Sequence, residues 1–246
     1  PPQTGVSPNG FAPVESEMAK AALREEFGFS SSKESSVRTI VILGASTWPG
    51  EEEALLRFLR KKEDKGTALR LVLAPRHAER GDELALLLQD QSLPWKRRSN
   101  GEGEGKDDAR VYLADTTGEL SRLVQAADLV FIGKTLGPDQ GGQNPVEAAS
   151  CGIPVIFGPN TQNFSEMCGT LAEAGAGIRV QDEEELQLAL AELVDDKAKR
   201  TAMGEAARKW KKDHEGATEI TGSKLLQLLE SHSNPAKTKA VSVLDD

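Results

Sequence analysis

Thr39-Ile40-Val41-Ile42-Leu43, followed by Gly44-Ala45-Ser46-Thr47-Trp48-Pro49-Gly50 and then by Glu51 to Lys61, decides the fold. An unbroken apolar run of this length suits a strand buried on both faces. The Gly/Ser/Thr/Pro turn ends it, and Leu55, Leu56 and Leu59 then fall on one side of a helix. The unit repeats outward along the chain. Leu69 to Leu73 reads as the next buried strand and Ala78 to Gln89 as its helix. Val111-Tyr112-Leu113, Leu129 to Ile132 and Val155-Ile156-Phe157 repeat the theme, with a weaker last strand at Ile178 to Val180. Helical patterns then cover about Glu183 to Asp195, Lys197 to Lys212 and Ala217 to Leu229. Strands alternating with helices imply a parallel sheet covered on both faces, a Rossmann-like doubly wound α/β domain.

The expected organisation is a linker with a short helix over 1–36, the α/β domain over 37–230 and a loose tail over 231–246. The short helix runs from about Val14 to Phe27, and Ser99 to Asp108, rich in glycine and charge, reads as a surface excursion. The chain opens on Pro1 rather than Met, which reads as a fragment of a longer protein. A net charge of −9 argues against a nucleic-acid partner, since phosphate backbones are bound through clustered Lys and Arg. No apolar run approaches the roughly 20 residues that span a bilayer, and no signal peptide is evident. The two cysteines, Cys151 and Cys168, have no metal-binding spacing and read as apolar packing residues of a reducing compartment.

In an open parallel sheet, ligands bind beyond the carboxyl ends of the strands. The first such turn lacks the GxGxxG dinucleotide pattern, and the chain has no P-loop, no Ser-His-Asp grouping and no Asp-x-Asp motif for a metal-bound diphosphate. The turn after Leu129–Ile132 is the richest: Gly133-Lys134-Thr135-Leu136-Gly137-Pro138-Asp139-Gln140-Gly141-Gly142-Gln143-Asn144-Pro145-Val146-Glu147. Paired glycines let backbone amides approach a phosphate, and a helix start adds further N–H groups. Glu147 can accept from a ribose diol. A ligand-free reading stands beside this one. Asn144 as N-cap, Pro145 at the first helical position and Glu147 at the third make a capping box. Arg76, at the end of the second strand, suits a phosphate or carboxylate, or else pairs with Glu79 or Asp82. Ser46-Thr47 reads equally as a helix cap, and Glu51, Glu52 and Glu53 are expected to point away from any phosphate.

In their order, these motifs resemble one family. They are Ala45-Ser46-Thr47-x-x-Gly50-Glu51-Glu52-Glu53, Pro75-Arg76-His77-x-x-Arg80, Asp115-Thr116-x-Gly118-Glu119-Leu120, Gly141-Gly142-x-Asn144-Pro145-x-Glu147 and Gly158-Pro159-x-Thr161-x-Asn163-Phe164. From about Val14 to Leu229 the chain resembles the C-terminal domain of the 3-deoxy-D-manno-octulosonic acid (Kdo) transferases, glycosyltransferase family 30, of GT-B fold. The resemblance implies a domain that holds CMP-Kdo, within an inverting enzyme that transfers Kdo to a lipid A precursor without a cofactor or a nucleotide-bound metal. It implies that Arg76 meets the phosphate or Kdo carboxylate, that Gly141 and Gly142 flank the phosphate, and that Asn144 and Glu147 serve phosphate and ribose. Ser46 and Asn163 line the same cleft by the same resemblance. It further implies that the acceptor-binding domain, the catalytic carboxylate and any membrane contact belong to the N-terminal half, which nothing here matches, so that this chain alone binds donor and does not catalyse. The implied location is the cytoplasmic side of the bacterial inner membrane. The chain departs from the family at Trp48, Gln143 and Asn160, where His is common. Two other readings of these residues are a domain of another GT-B protein, such as a UDP-sugar transferase or a UDP-GlcNAc 2-epimerase relative, and a degenerate domain kept for protein contacts.

Overall fold

Seven strands, all parallel, form one sheet in the order β3-β4-β2-β1-β5-β6-β7. They are β1 (Arg38–Thr47), β2 (Thr67–Pro75), β3 (Trp95–Arg97), β4 (Val111–Leu113), β5 (Leu129–Ile132), β6 (Val155–Phe157) and β7 (Gly177–Arg179). The helices are α1 (Glu17–Glu26), α2 (Glu51–Lys61), α3 (Gly81–Gln89), α4 (Leu120–Ala126), α5 (Val146–Ser150), α6 (Ser165–Glu173), α7 (Glu183–Asp195) and α8 (Lys197–His214). This computed structural model describes residues 17–29, 38–62, 67–100 and 109–214. The expected helix from Ala217 to Leu229, the tail and most of the Ser99–Asp108 excursion lie outside them. The sheet and its covering layers belong to the compact unit Pro1–Trp210. Of the second unit, Lys211–Asp246, only Lys211–His214 are described.

The alternation of side chains along β1 explains the two layers. Ile40 and Ile42 face a core shared with α2, α3 and α7, through residues such as Leu55, Leu84 and Leu190. Val41, Leu43 and Ala45 face the opposite core, with Leu123 of α4, Ala148 of α5, Leu171 of α6 and Trp210 of α8. A strand buried on both sides needs apolar residues at every position, which is why these runs were readable. The edge strand β3 was not. Trp95-Lys96-Arg97 carries only one apolar residue, as befits an edge strand whose charges discourage further pairing. Arg97 Nε there donates to Asp115 Oδ2 at 2.6 Å, just beyond β4.

The first strand runs longer than its neighbours. Ser46 and Thr47, anticipated as a helix cap, instead finish β1 through a bulge between Ala45 and Thr47, with Ser46 left-handed at φ 54°. The cap of α2 is Gly50, whose N–H donates to Glu53 Oε2 at 2.9 Å.

The segment ahead of β1, expected as a linker with a short helix, places that helix against the domain. Asp128, between α4 and β5, is the anchor. Its carboxylate accepts from Lys20 Nζ at 3.0 Å, from Arg24 Nη2 at 2.6 Å and from the Val41 N–H at 2.8 Å. Just after α1, Phe27 and Phe29 stack on each other and on the edge of Tyr112. Burial pushes the Asp128 carboxyl up, but Lys20, Arg24 and the Val41 N–H outweigh it and hold the carboxyl below its ordinary value. With the folded value depressed, the stabilisation is present above the ordinary aspartate pKa and is lost as pH falls through the folded value. Asp128→Asn should therefore cost about 2–4 kcal/mol at pH 7, by the scale for removing one partner of a mostly buried ion pair. In urea unfolding the gap between variant and unchanged chain should close in acid. Equal midpoints at pH 7 would contradict the anchoring role.

Candidate functional site at the sheet's switch point

Strand order reverses at β1. On one side of it the chain lays down β2, then the edge strand β3, then β4 between them, and it crosses to the other side of β1 with β5. The loops leaving β1 and β5 therefore splay from neighbouring strands and leave a crevice between them, where doubly wound sheets take ligands. The two loops approach closely. A Cβ on Gly133 would lie 2.1 Å from the Ser46 carbonyl oxygen, so only glycine fits there.

The residue that joins these loops is Glu51. Its side chain is buried at the start of α2, and its carboxylate accepts four backbone N–H groups. Oε2 takes Trp48 at 2.9 Å and Lys134 at 2.8 Å, while Oε1 takes Thr135 at 2.9 Å and Leu136 at 3.0 Å. Burial pushes its carboxyl up from the ordinary value, and the four N–H bonds oppose that rise. This corrects the expectation that all three acids turn away. Glu52, also buried, accepts from Arg80 Nη1 at 2.8 Å, and Glu53 caps Gly50, but Glu51 points inward and uses the amides of the β5 loop. Thr135 carries the linkage on to β6: its Oγ1 donates to the Ile132 carbonyl at 2.6 Å and accepts the Gly158 N–H at 2.8 Å. Asn160, one of the departures from the family pattern, has a local partner, with Nδ2 donating to the Gly137 carbonyl at 2.9 Å.

The expected ligand residues fall around this crevice, with changed detail. Gly141 and Gly142 have φ of 116° and 74°, and a Cβ on Gly141 would lie 2.7 Å from Asn163 Nδ2, which puts Asn163 against the glycine loop. Their own N–H groups are already used, however. Gly141 donates to Gln162 Oε1 at 3.0 Å and Gly142 to the Lys134 carbonyl at 3.0 Å. The next two amides, of Gln143 and Asn144, have no acceptor among the described residues, so they are the donors left for an anion. Asn144, expected as the N-cap, stands one residue ahead of the actual cap, Pro145, and its Oδ1 accepts the Val146 N–H at 2.9 Å in a local turn. Glu147 does not complete the capping box. Its Oε1 accepts the Ser121 hydroxyl of α4 in a short hydrogen bond. Ser46 stands half-buried at the end of β1.

Arg76 is exposed at the end of β2, its N–H bonded to the Thr47 carbonyl at 3.1 Å. The two acids weighed as partners are engaged elsewhere: Glu79 lies 3.3 Å from His77 Nδ1, and Asp82 lies 2.8 Å from Arg97 Nη1. Among the described residues Arg76 has no carboxylate, whereas Arg24, Arg57, Arg80, Arg97, Arg98 and Arg122 all have one. Among the described residues, no group of three His, Cys, Asp or Glu could hold a metal ion, and no helix is long and apolar enough to cross a membrane.

Sequence reading missed Glu51 because an acid at the first position of a helix looks like a solvated dipole partner. Glu51→Gln should lower the unfolding free energy by about 2–4 kcal/mol, since an amide NH2 would then face N–H donors in a buried site. Denaturant unfolding measures it, and a loss below about 0.5 kcal/mol, the scale of an ordinary surface change, would refute the linkage.

Known proteins share both sequence and architecture with this chain. Residues 101–210 match the family of Glycosyl transferases group 1. The 3-deoxy-D-manno-octulosonic acid transferase of Bordetella pertussis is 38% identical over 184 residues, which are 74% of this chain and 43% of that protein. The enzyme of the same name from Haemophilus influenzae is 33% identical over 191 residues, 77% of this chain and 43% of its own length. The chain thus spans less than half the length of these relatives. The crystal structure of the C-terminal CMP-Kdo binding domain of WaaA from Acinetobacter baumannii superposes with a TM-score of 0.65 at 25% identity, covering 78% of this chain and 96% of that domain. On sequence and fold together, the chain belongs to the 3-deoxy-D-manno-octulosonic acid transferase family and has the fold of the C-terminal half of a GT-B glycosyltransferase.

Proposed function

We propose that this chain is the donor-binding domain of a Kdo transferase and holds CMP-Kdo in the crevice between the β1 and β5 loops. The observation that carries the reading is Arg76, a cation with no carboxylate partner among the described residues, standing at the switch-point edge of a chain whose relatives are Kdo transferases. Its planar fork suits the nucleotide phosphate or the Kdo carboxylate. The free amides of Gln143 and Asn144 extend that anion site beyond Gly141 and Gly142. Glu147, with one oxygen held by Ser121, offers the other to the ribose hydroxyls. Ser46 and Asn163 border the same space, Asn163 directly against Gly141.

In this reading Arg76 and main-chain amides neutralise the phosphate, so the domain needs no cofactor and no metal on the nucleotide. The catalytic carboxylate and the surface for the lipid A precursor belong to another domain of the whole enzyme, which works as an inverting transferase in lipopolysaccharide synthesis. Membrane contact belongs to that other domain too, at the cytoplasmic face of the bacterial inner membrane. This domain by itself binds donor without turning it over.

Arg76→Ala should weaken CMP binding at least tenfold, about 1.4 kcal/mol, within the scale of one charged hydrogen bond. Calorimetry with CMP and UMP on the unchanged chain and the variant tests it. Unchanged CMP affinity removes Arg76 from the site, and tighter UMP than CMP binding points to a uridine-nucleotide sugar instead.

A further inference from the structure

Lys134 is held by its backbone in an unusual way. It is left-handed at φ 60°, a conformation that non-glycine residues adopt only at a cost. Both its backbone groups are tied down: the N–H to Glu51 at 2.8 Å, and the carbonyl to the Gly142 N–H at 3.0 Å. The side chain reaches across the crevice, and Nζ lies 4.3 Å from the centre of the Trp48 ring on the β1 loop. Trp48 in turn packs edge-on against His77 at 5.3 Å, the residue next to Arg76. Lys134, Trp48 and His77 therefore form a row that leads from the β5 loop to the end of β2.

The charge of Lys134 is not met within that row. Among the described residues no carboxylate pairs with it. Glu51, whose carboxylate takes the Lys134 N–H, already spends both oxygens on four amides. The indole face attracts the ammonium but accepts none of its hydrogen bonds in the way an anion would. Elsewhere in this chain of net charge −9, Arg24, Arg57, Arg80, Arg97 and Arg98 are each paired with an acid, while Arg179 and Arg200 are held by a hydroxyl and by backbone carbonyls. A half-buried, braced ammonium without a carboxylate, with the exposed Arg76 next to His77 at the far end of the row and likewise without one, gives this edge of the sheet two positive charges. Two separate anionic groups on one ligand would match them.

We propose that Lys134, braced on Trp48, is a second anion-binding residue of the donor site and sets its preference for a nucleotide-activated sugar acid, a ligand with both a phosphate and a carboxylate. The assignment rests on the donor-binding reading above. It gives the Trp48 departure a role, because the indole supplies the platform that aims the lysine.

Two variants separate binding from structure. Lys134→Met keeps the stem on the indole and removes the charge, while Lys134→Gly also relieves the left-handed backbone. Calorimetry with CMP and with CMP-Kdo should show Lys134→Met binding CMP-Kdo about tenfold more weakly than the unchanged chain, the scale of one charged hydrogen bond. Unchanged CMP affinity places the ammonium on the sugar carboxylate, whereas an equal weakening for CMP leaves the preference for the sugar acid unaltered and overturns the specificity assignment. Unchanged affinity for both overturns the proposal. Lys134→Gly should lose the same affinity yet melt no lower than the unchanged chain. A melting point several degrees lower would make Lys134 a structural brace and overturn the proposal from the other side. If the unchanged chain binds neither ligand, the donor-binding reading itself falls, an outcome separate from a failure of Lys134 alone.

Discussion

A single carboxylate, that of Glu51, holds the switch point together. It accepts one N–H from the β1 loop and three from the β5 loop, in a site closed to solvent. Backbone amides that turn away from a strand end cannot remain unpaired in a buried place. Many phosphate-binding folds satisfy such amides with the ligand. Here the protein supplies its own anion, so the crevice keeps its shape before any ligand arrives. In the proposed donor site, what Glu51 leaves over for a ligand is the amides of Gln143 and Asn144 and the cations around them.

That arrangement explains the glycines better than direct phosphate contact does. Gly133 is required because the Ser46 carbonyl leaves no room for a Cβ, and Gly141 because Asn163 lies against it. Both amides of the Gly141-Gly142 pair bond within the protein. The pair therefore acts mainly by allowing the chain to fold back on itself, which brings Lys134, Gln143 and Asn163 to the same rim. Electrostatics divide along the same line. Several cations that hold the fold together are matched by acids, as Lys20 and Arg24 of α1 are matched by Asp128. Lys134 at the crevice and the exposed Arg76 at the end of β2 meet no acid among the described residues.

Much of the fold was legible because burial on both faces leaves its mark on every residue of a strand. The limits of β4, β5, β6, α2 and α7 are those expected from the apolar runs. The edge strand β3 escaped because an edge needs neither continuous apolarity nor length. The sequence placed several expected residues at one sheet edge but not their hydrogen bonds. Ser46, Gly141, Gly142 and Asn163 gather at the switch point, whereas the helix begins one residue later than its cap chemistry suggested, with Pro145 in the place expected of Asn144. Glu51 was misread because three of its four partners lie more than 80 residues along the chain, and nothing local marks an acid as the acceptor for a distant loop. The capping box at Glu147 failed for a similar reason: Ser121, from another helix, competes for the carboxylate.

Strain sharpens the distinction between scaffold and site. Three non-glycine residues among those described have positive φ: Ser46, Ser92 and Lys134. Two of them face each other across the switch point, one ending β1 and one opening the β5 loop. Left-handed backbone at a serine and a lysine costs of order 1–3 kcal/mol each and survives only where the surroundings over-determine it. Glu51 and Gly133 are those surroundings, one by four hydrogen bonds and the other by close approach. Glycine at position 134 would meet the same geometry without strain. A residue that costs stability where glycine would not is kept for its side chain, and that side chain ends in an ammonium over Trp48.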